Sequence, residues 1–497
     1  MKLFNFKKRW HKYLFLSFIE ALFATFVFWV IFLTENIEIT RSMAGDIAFS
    51  TLNKICFANK ESKDRYNSEI DVYYIDYEYL KFANMIDDYN ETNYGYIFPR
   101  SEFAQIIDKI DSLPKDKQPL SLFIDYSFEE GSASYDSNVS FHISDDDKIF
   151  LKSLAKNRKY TILLPQISNS NFIEKYAKYE NNKISKSIAK QIKDKKIVFV
   201  NPFFLKSDNK IYRYNPLKKF SSDNIYYNVA LVNWQLIKNG KIIKKEIENL
   251  YNFDLFLNER LVTNKGKAIF KSNILYKDIE YSKSKWNKLY FYSAKELFNN
   301  NLAFNSKTMV MIGVNYKDRD LYINGIDNLE RGVAIHAEST KTVLFLDGKL
   351  KSLDLRISFA IIFIVFFVIT LIARNLIASI PNKIKLFIEL FVIFIALVLL
   401  NIIMWYIFDS NQLLWTSLSA IISIIIIYAY YKINEIFLFN FIFEIILLVS
   451  ILFFISCYIL LKYKLWFNWI IPVLIFYIED IIMLFRSHVQ NNTKGEN

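Results

Sequence analysis

Two apolar blocks enclose a charged middle, and this distribution limits the fold before any other feature does. Residues 14–33 form an apolar run of about 20 residues, enough to cross the hydrocarbon of a bilayer. From Leu355 the chain is apolar almost to its end, whereas residues 34–354 are polar and charged. The overall hydrophobic content of 53% is only a little above that of soluble domains, about 45–50%. The segregation therefore carries the reading, and it is that of a membrane protein with one large soluble domain.

Lys7, Lys8, Arg9 and Lys12 precede the first apolar run, which ends in Phe32-Leu33-Thr34-Glu35 without a small-residue cleavage site. An uncleaved signal anchor is expected, with residues 1–13 in the cytoplasm and residues 34–354 outside it. Five further spans are expected at about 355–373, 385–408, 413–431, 436–461 and 465–485, which return a short cytoplasmic tail, residues 486–497. Arg374, Lys383, Lys385, Lys432, Arg486 and Lys494 then lie inside, as the positive-inside rule requires, with Lys462 and Lys464 as the exception. The expected location is a cell membrane, with the lipid bilayer as an obligatory partner; the resemblance given below implies a bacterial inner membrane.

The net charge is +12, but Lys is dispersed among Asn and Ile, with no arginine-rich helix and no aromatic-basic motif. Nucleic acid is therefore not expected as a partner. Of the two cysteines, Cys56 follows the first span and Cys457 lies within an apolar segment; they are not expected to meet, and no disulfide framework is read. The four histidines, His11, His142, His336 and His488, are too scattered for a zinc site. Neither a metal nor a cofactor is expected.

The middle of the chain alternates strands and helices. Ile70–Ile75, Leu120–Ile124, Tyr160–Leu164 (closed by Pro165), Lys196–Val200 and Met309–Ile312 read as strands. Ser101–Ser112 reads as a helix, with Phe103, Ile106, Ile107 and Ile110 on one face, Pro99 at its entrance and Ser101 as its N-cap. Asp145–Asn157 reads as a helix with Ile149, Leu151 and Leu154 inward, and Asp223–Lys238 as a longer one with Val229, Val232 and Leu236 inward. Ser293-Ala294-Lys295-Glu296 reads as a capping box before a short helix. Such alternation predicts an α/β extracytoplasmic domain with a mostly parallel sheet, next to an α-helical transmembrane bundle. Gln166–Lys195 and Asn239–Trp286 fit as further strands or as surface insertions.

Met309–Ser339 is the most informative stretch. Its apolar run stops at Gly313, opens into a polar loop with Asp318, Arg319 and Asp320, and resumes at Gly332-Val333-Ala334-Ile335 to deliver His336 to a new periodic segment. Polar loops at the carboxyl ends of parallel strands are where α/β sheets collect ligands.

Six short motifs in order resemble the type-2 CHASE domain, an extracellular sensory module of bacterial cyclases and histidine kinases. Asp76 with Glu78-Tyr79-Leu80 resembles its opening strand end, and Tyr96-Ile97-Phe98-Pro99-Arg100-Ser101 its proline-rich turn before the first helix. Phe123-Ile124-Asp125-Tyr126-Ser127-Phe128 resembles its second strand end, and Tyr212-Arg213-Tyr214-Asn215-Pro216-Leu217 its arginine-proline-leucine element. Ile312-Gly313 and Gly332-Val333-Ala334-Ile335-His336-Ala337 match its last two motifs, and Gly313 and Gly332 are read as structural glycines. Ile97 stands where the family has the first proline of the turn, and Lys210-Ile211 where it has a glycine-containing pair. The resemblance covers most of residues 35–350. It implies a sensor whose cytoplasmic effector domain is not part of this chain, because the tail after Arg486 is too short to fold as one.

Asp76 and Asp125 each follow a strand, so a parallel sheet brings both to one edge. Arg100 and Arg213 are expected to pair with them, with Asp318 or Asp320 and His336 arriving from the stretch after Gly313. The ligand-binding candidates are Asp76, Arg100, Asp125, Arg213, Asp318 and His336. The competing reading is a buried network of ion pairs and hydrogen bonds that fixes the loops. No nucleophile elbow or metal spacing accompanies the acids and the histidine, so no catalytic residue is assigned and no enzyme is expected. Within the apolar spans lie Glu389, Glu444, Glu479 and Asp480, with Glu20 in the first. Intramembrane acids are costly and mark ion paths or helix switches unless they reach interfacial water or lysines; Glu444, with Asn440 one turn earlier, is the strongest of them.

The leading expectation is a membrane-bound sensor or receptor that takes an unidentified extracytoplasmic ligand or partner and signals through its membrane helices to a separate effector protein. The alternatives are a transporter-like or channel-like subunit and a structural scaffold of the cell envelope. A homodimer is compatible with each.

Overall fold

The computed structural model describes residues 61–85, 98–128, 143–168, 171–207, 210–219, 225–250, 286–316, 320–324, 326 and 328–349 of the middle, with short pieces at 272–273, 279–280 and 283–284. It also describes parts of 11–26 together with 52–57, 351–352, 355–379 and 451–467. By internal contacts the chain divides into Phe57–Leu350 and a second unit made of Met1–Cys56 with Lys351–Asn497.

A six-stranded sheet organises the Phe57–Leu350 unit. Its strands are β1 (Glu69–Ile75), β2 (Ser121–Ile124), β3 (Thr161–Pro165), β4 (Ile197–Val200), β9 (Leu289–Ser293) and β10 (Thr308–Val314). Their order is β9-β1-β10-β2-β3-β4, and every neighbouring pair is parallel. The two longest strands, β1 and β10, lie side by side near the centre in register from Glu69 opposite Thr308 to Ile75 opposite Val314. The expected parallel α/β domain is therefore present. Gly313 does not end its strand, because pairing with β1 continues through it to Val314.

One face of the sheet packs against α2 (Arg100–Asp111), α3 (Asp145–Leu154) and α5 (Lys183–Lys193), where Ile106, Ile107, Leu154 and Ile188 close over Leu122, Ile124, Ile162 and Val310. On the other side lie α6 (Val229–Asn239) and α7 (Gly332–Leu346), which contact each other, α7 also meeting β1 and β10, and α6 meeting β2. Both are nearly enclosed, with α6 buried from Val229 to Leu236 and α7 from Gly332 to Leu344. Helices on both faces explain why the strands read as continuous apolar runs rather than as alternating ones.

A second, smaller sheet has the order β12-β11-β6-β5, from β5 (Phe204–Ser207), β6 (Lys210–Tyr214), β11 (Leu321–Asn324) and β12 (Leu329–Arg331). A hairpin of β7 (Leu217–Lys219) and β8 (Ile225–Tyr227) precedes α6.

Several local expectations are corrected. Ser101 does not cap α2; the carboxylate of Asp146 on α3 accepts from the backbone N–H groups of Arg100 and Ser101 instead, at 2.7 and 2.8 Å. Ile149 is exposed and Phe150 fills the core, because α3 turns its other face inward. The expected Asp223–Lys238 helix is a strand followed by a helix capped by Asn228, whose side chain accepts from Ala230 N. Ser293 caps a 3-10 turn, Ala294–Phe298, without the reciprocal glutamate bond of a capping box. Gln166–Lys195 holds two helices, α4 (Phe172–Tyr179) and α5, rather than strands.

In the other unit, Leu355–Ser379 forms a 25-residue helix whose side chains are described without a gap only over 356–365. Among the described residues no helix is long and apolar enough to cross a membrane. Phe18 meets Phe363 edge to face with ring centroids 5.5 Å apart, and Lys351–Ser352 pairs in parallel with Leu465–Trp466. Cys457 is disulfide-bonded, which overturns the expectation that the chain carries no disulfide; the side chain of Cys56 lies outside the described residues.

Candidate functional site

The carboxyl edge of the large sheet carries a cluster of acids around one buried histidine. Asp125 directly follows β2, and its backbone N–H donates to Ile312 O at 2.8 Å, which fixes the residue beside β10. α7 starts at Gly332 and buries His336 one turn later, with only 2% of its side chain exposed. Asp320 stands before β11 in the left-handed conformation, φ 57°, which Asp tolerates better than most residues. Its carboxylate and its carbonyl both accept from Gly332 N, at 3.1 and 3.0 Å. The cap residue of α7, Arg331, makes no side-chain cap bond. Asp320 therefore supplies the anion that the positive end of the α7 dipole favours.

Close approach explains both glycines. A Cβ on Gly332 would lie 2.5 Å from Asp320 Oδ2, and one on Gly313 would lie 2.4 Å from Val333 Cβ. The first turn of α7 can rest on β10 only because Gly313 has no side chain, and Asp320 can reach Gly332 N only because Gly332 has none.

The electrostatics of the cluster favour neutral groups. Burial, reinforced by the charge of Asp320, pushes the Asp125 carboxyl well above the usual carboxylate range. Burial lowers the His336 imidazole to about 3, so the ring is neutral at physiological pH. Its Nε2 is 3.9 Å from Asp125 Oδ2, too far for a hydrogen bond. Its Nδ1 is buried without a partner among the described residues. The ring lies between Phe204 on β5 and Phe123 on β2, with centroids 4.4 and 5.1 Å away. Tyr322 hydrogen-bonds Asp320, and burial raises its hydroxyl pKa. The result is a desolvated site with an aromatic wall, an acid pair that favours holding a proton, and an imidazole nitrogen with free hydrogen-bonding capacity. Such a site suits recognition of a polar ligand group. No described side chain hydrogen-bonds the imidazole, so none is placed as a nucleophile activated by it.

The other candidates are placed elsewhere. Asp76 caps α1 (Tyr77–Phe82) by accepting from Tyr79 N at 3.0 Å and takes a hydrogen bond from Ser293 Oγ at 2.7 Å. It lies on the same sheet edge as Asp125, with β10 between them. Arg100 is buried and pairs with Asp147 at 2.6 Å, its guanidinium over the Phe172 ring. Arg213 sits in β6 opposite Leu205 and Asn273, but its side chain lies outside the described residues, as does Asp318. Glu389, Glu444, Glu479 and Asp480 also lie outside them. Among the described residues no group of three or more His, Cys, Asp or Glu could hold a metal ion.

Sequence reasoning missed a second buried cluster on α7. Lys341, with none of its side chain exposed, pairs with Asp64 at 2.9 Å and donates to Ser68 O and Asn287 O at 2.8 and 2.9 Å. Burial raises the Asp64 carboxyl, but Lys341 and bonds from Ser68 bring it below its ordinary value. Trp286 Nε1 donates to Glu338 on the same helix. The signal was three ionisable residues, His336, Glu338 and Lys341, on a helix too apolar to lie at a surface.

The domain is a parallel sheet with helices on both faces and a buried polar cluster at the carboxyl edge of its strands. The family model of the CHASE2 domain matches residues 59–373, well over half of the chain, and the protein belongs to that family. CHASE2 is an extracellular sensory domain family, typically found on membrane proteins. No curated protein and no solved structure matches the chain.

Proposed function

We propose that the protein is a membrane-anchored sensor whose CHASE2 domain lies outside the cytoplasm and binds a small ligand or partner at the Asp125–Asp320–His336 cluster. Binding shifts α7, and the shift passes to the membrane helices and on to a separate effector protein. The observation that carries this reading is the buried His336 with a partnerless Nδ1 beside an acid pair. Groups desolvated in this way cost stability and gain it back only when a ligand completes their bonds. α7 leads from His336 to Leu346, nine residues before the helix that starts at Leu355. The disulfide of Cys457 supports an oxidising side for that part of the chain. The two apolar blocks support the membrane anchor.

The test uses the full chain in its native membrane. Deleting residues 40–350 is expected to abolish the response while leaving insertion intact, and His336→Phe is expected to abolish it with the domain folded. Ligand retained by the purified wild type and lost from His336→Phe, detected by mass spectrometry, would identify the signal. An unchanged response in both variants would sink the proposal.

A further inference from the structure

A second cleft lies against the edge strand β4 of the large sheet. It has a volume of about 240 Å³ and is walled by Ile197, Phe199 and Val232 with Tyr226 of the β7–β8 hairpin. Three charged residues from three different segments line it: Glu174 on α4, Lys195 in the turn before β4, and Lys244 after α6. Glu174 is desolvated, and burial raises its carboxyl. Among the described residues it makes no hydrogen bond or ion pair, and neither do the ammonium groups of Lys195 and Lys244. In ordinary packing a half-buried carboxylate finds a cation or a donor. Here two exposed lysines line the same cleft, and among the described residues none of the three charges has a protein partner.

We propose that this cleft binds a small zwitterion with an apolar body, of the chemical class of an apolar amino acid, with Glu174 as counter-ion to its ammonium group and Lys195 and Lys244 as partners of its carboxylate. The reasoning is complementarity. One acid and two bases around an apolar cavity match a ligand that carries both signs and an apolar side chain. A simple amine would leave the lysines unmatched, and a simple acid would leave Glu174 unmatched. The cavity is below the roughly 300–1,000 Å³ of drug-sized pockets, which suits a molecule of that size. The site is independent of the His336 cluster.

The experiment uses the full chain in lipid nanodiscs and titrates L-leucine, L-phenylalanine, isoamylamine and isovalerate by calorimetry. At least one of the two amino acids is expected to bind saturably, and both the amine and the acid at least five-fold more weakly. Glu174→Gln is expected to weaken amino-acid binding ten-fold or more and to leave isovalerate unchanged. Lys195→Met with Lys244→Met is expected to remove the preference for the amino acid over isoamylamine. His336→Phe is expected to leave all of these affinities as they are, which separates this site from the one proposed above. Absence of saturable binding by either amino acid would overturn the assignment. So would binding of isoamylamine alone, or amino-acid affinity that both substitution sets leave unchanged.

Discussion

Asp320 reaches over the first residue of α7 so closely that Gly332 N donates to its carboxylate at 3.1 Å and a Cβ on Gly332 would come within 2.5 Å of the same oxygen. The glycine and the aspartate are thus one device: the missing side chain admits the anion that caps the helix. Gly332→Ala is expected to displace Asp320 and to destabilise the domain by about 1–3 kcal/mol, the range for overpacking. Gly313→Ala should cost more, because the atom it meets is Val333 Cβ, fixed to the backbone and 2.4 Å away. Val333→Ala keeps that Cβ, so it should not rescue Gly313→Ala. Urea midpoints of the three variants check the order, and rescue by Val333→Ala would contradict it.

His336 sets the acid limb of stability. Its folded value of about 3 lies below the unfolded 6.5. As pH falls from about 6.5 toward 3, the unfolded chain takes up a proton that the folded chain refuses. Stability is therefore complete above about pH 6.5 and falls below it, by at most about 5 kcal/mol for a shift of this size. His336→Phe keeps the aromatic contacts with Phe204 and Phe123 and removes the titration. Its melting temperature should depend less on pH between 4 and 6 than that of the wild type. A wild-type-like slope would show that His336 charges without unfolding.

Asp71 acts on the opposite limb. It lies on β1 opposite Tyr290 of the edge strand β9. Its Oδ1 is buried without a hydrogen bond, and burial, together with the charge of Glu69, raises its carboxyl to about 7 against the lowering influence of Lys341. Between about pH 4 and 7 the folded state holds a proton that the unfolded state has lost. Stability contributed in this way is full below about pH 4 and is lost as pH rises through 7. Asp71→Asn is expected to flatten this limb and to stabilise the domain at pH 8 by about 2–4 kcal/mol. Hydrogen exchange of the β1 amides between pH 5 and 8 reads the effect. Exchange that stays pH-independent in the wild type, after correction for intrinsic rates, would refute it.

What could be read from the sequence follows physical range. The strands were legible because enclosure on both faces makes each one a bounded apolar run, as at Leu122–Ile124 and Met309–Ile312. Asp125, Gly313, Gly332 and His336 were legible because they interrupt such runs at the sheet edge. Ser101 misled because the cap of α2 comes from Asp146 on another helix. Ile149 misled because helical spacing alone does not show which face turns inward, and Phe150 had the larger area to bury. Arg100 was drawn to Asp76 and Asp125 by its place next to the strand ends, whereas the fold gives it Asp147. Phe204 and Tyr322, which complete the site around His336, belong to the second sheet, and its short strands carry too few residues to show a period. The Cys457 disulfide is a tertiary contact, which no local pattern reveals.

The buried pair of Lys341 and Asp64 allows the most direct test of how α7 is held. The two residues lie far apart in sequence, yet their side chains meet at 2.9 Å with at most 2% exposed. Removing one partner leaves an uncompensated buried charge, at a typical cost of about 3–5 kcal/mol. Lys341→Met strands the Asp64 carboxylate, and Asp64→Asn strands the ammonium, which retains only the carbonyls of Ser68 and Asn287 and the Ser68 hydroxyl. The double variant has no buried charge at this point and should lose less than the sum of the two singles, by about 2 kcal/mol or more if the pair is coupled as its geometry indicates. Additive single effects in urea denaturation would show that the two charges are screened from each other, and that α7 is held by apolar packing alone.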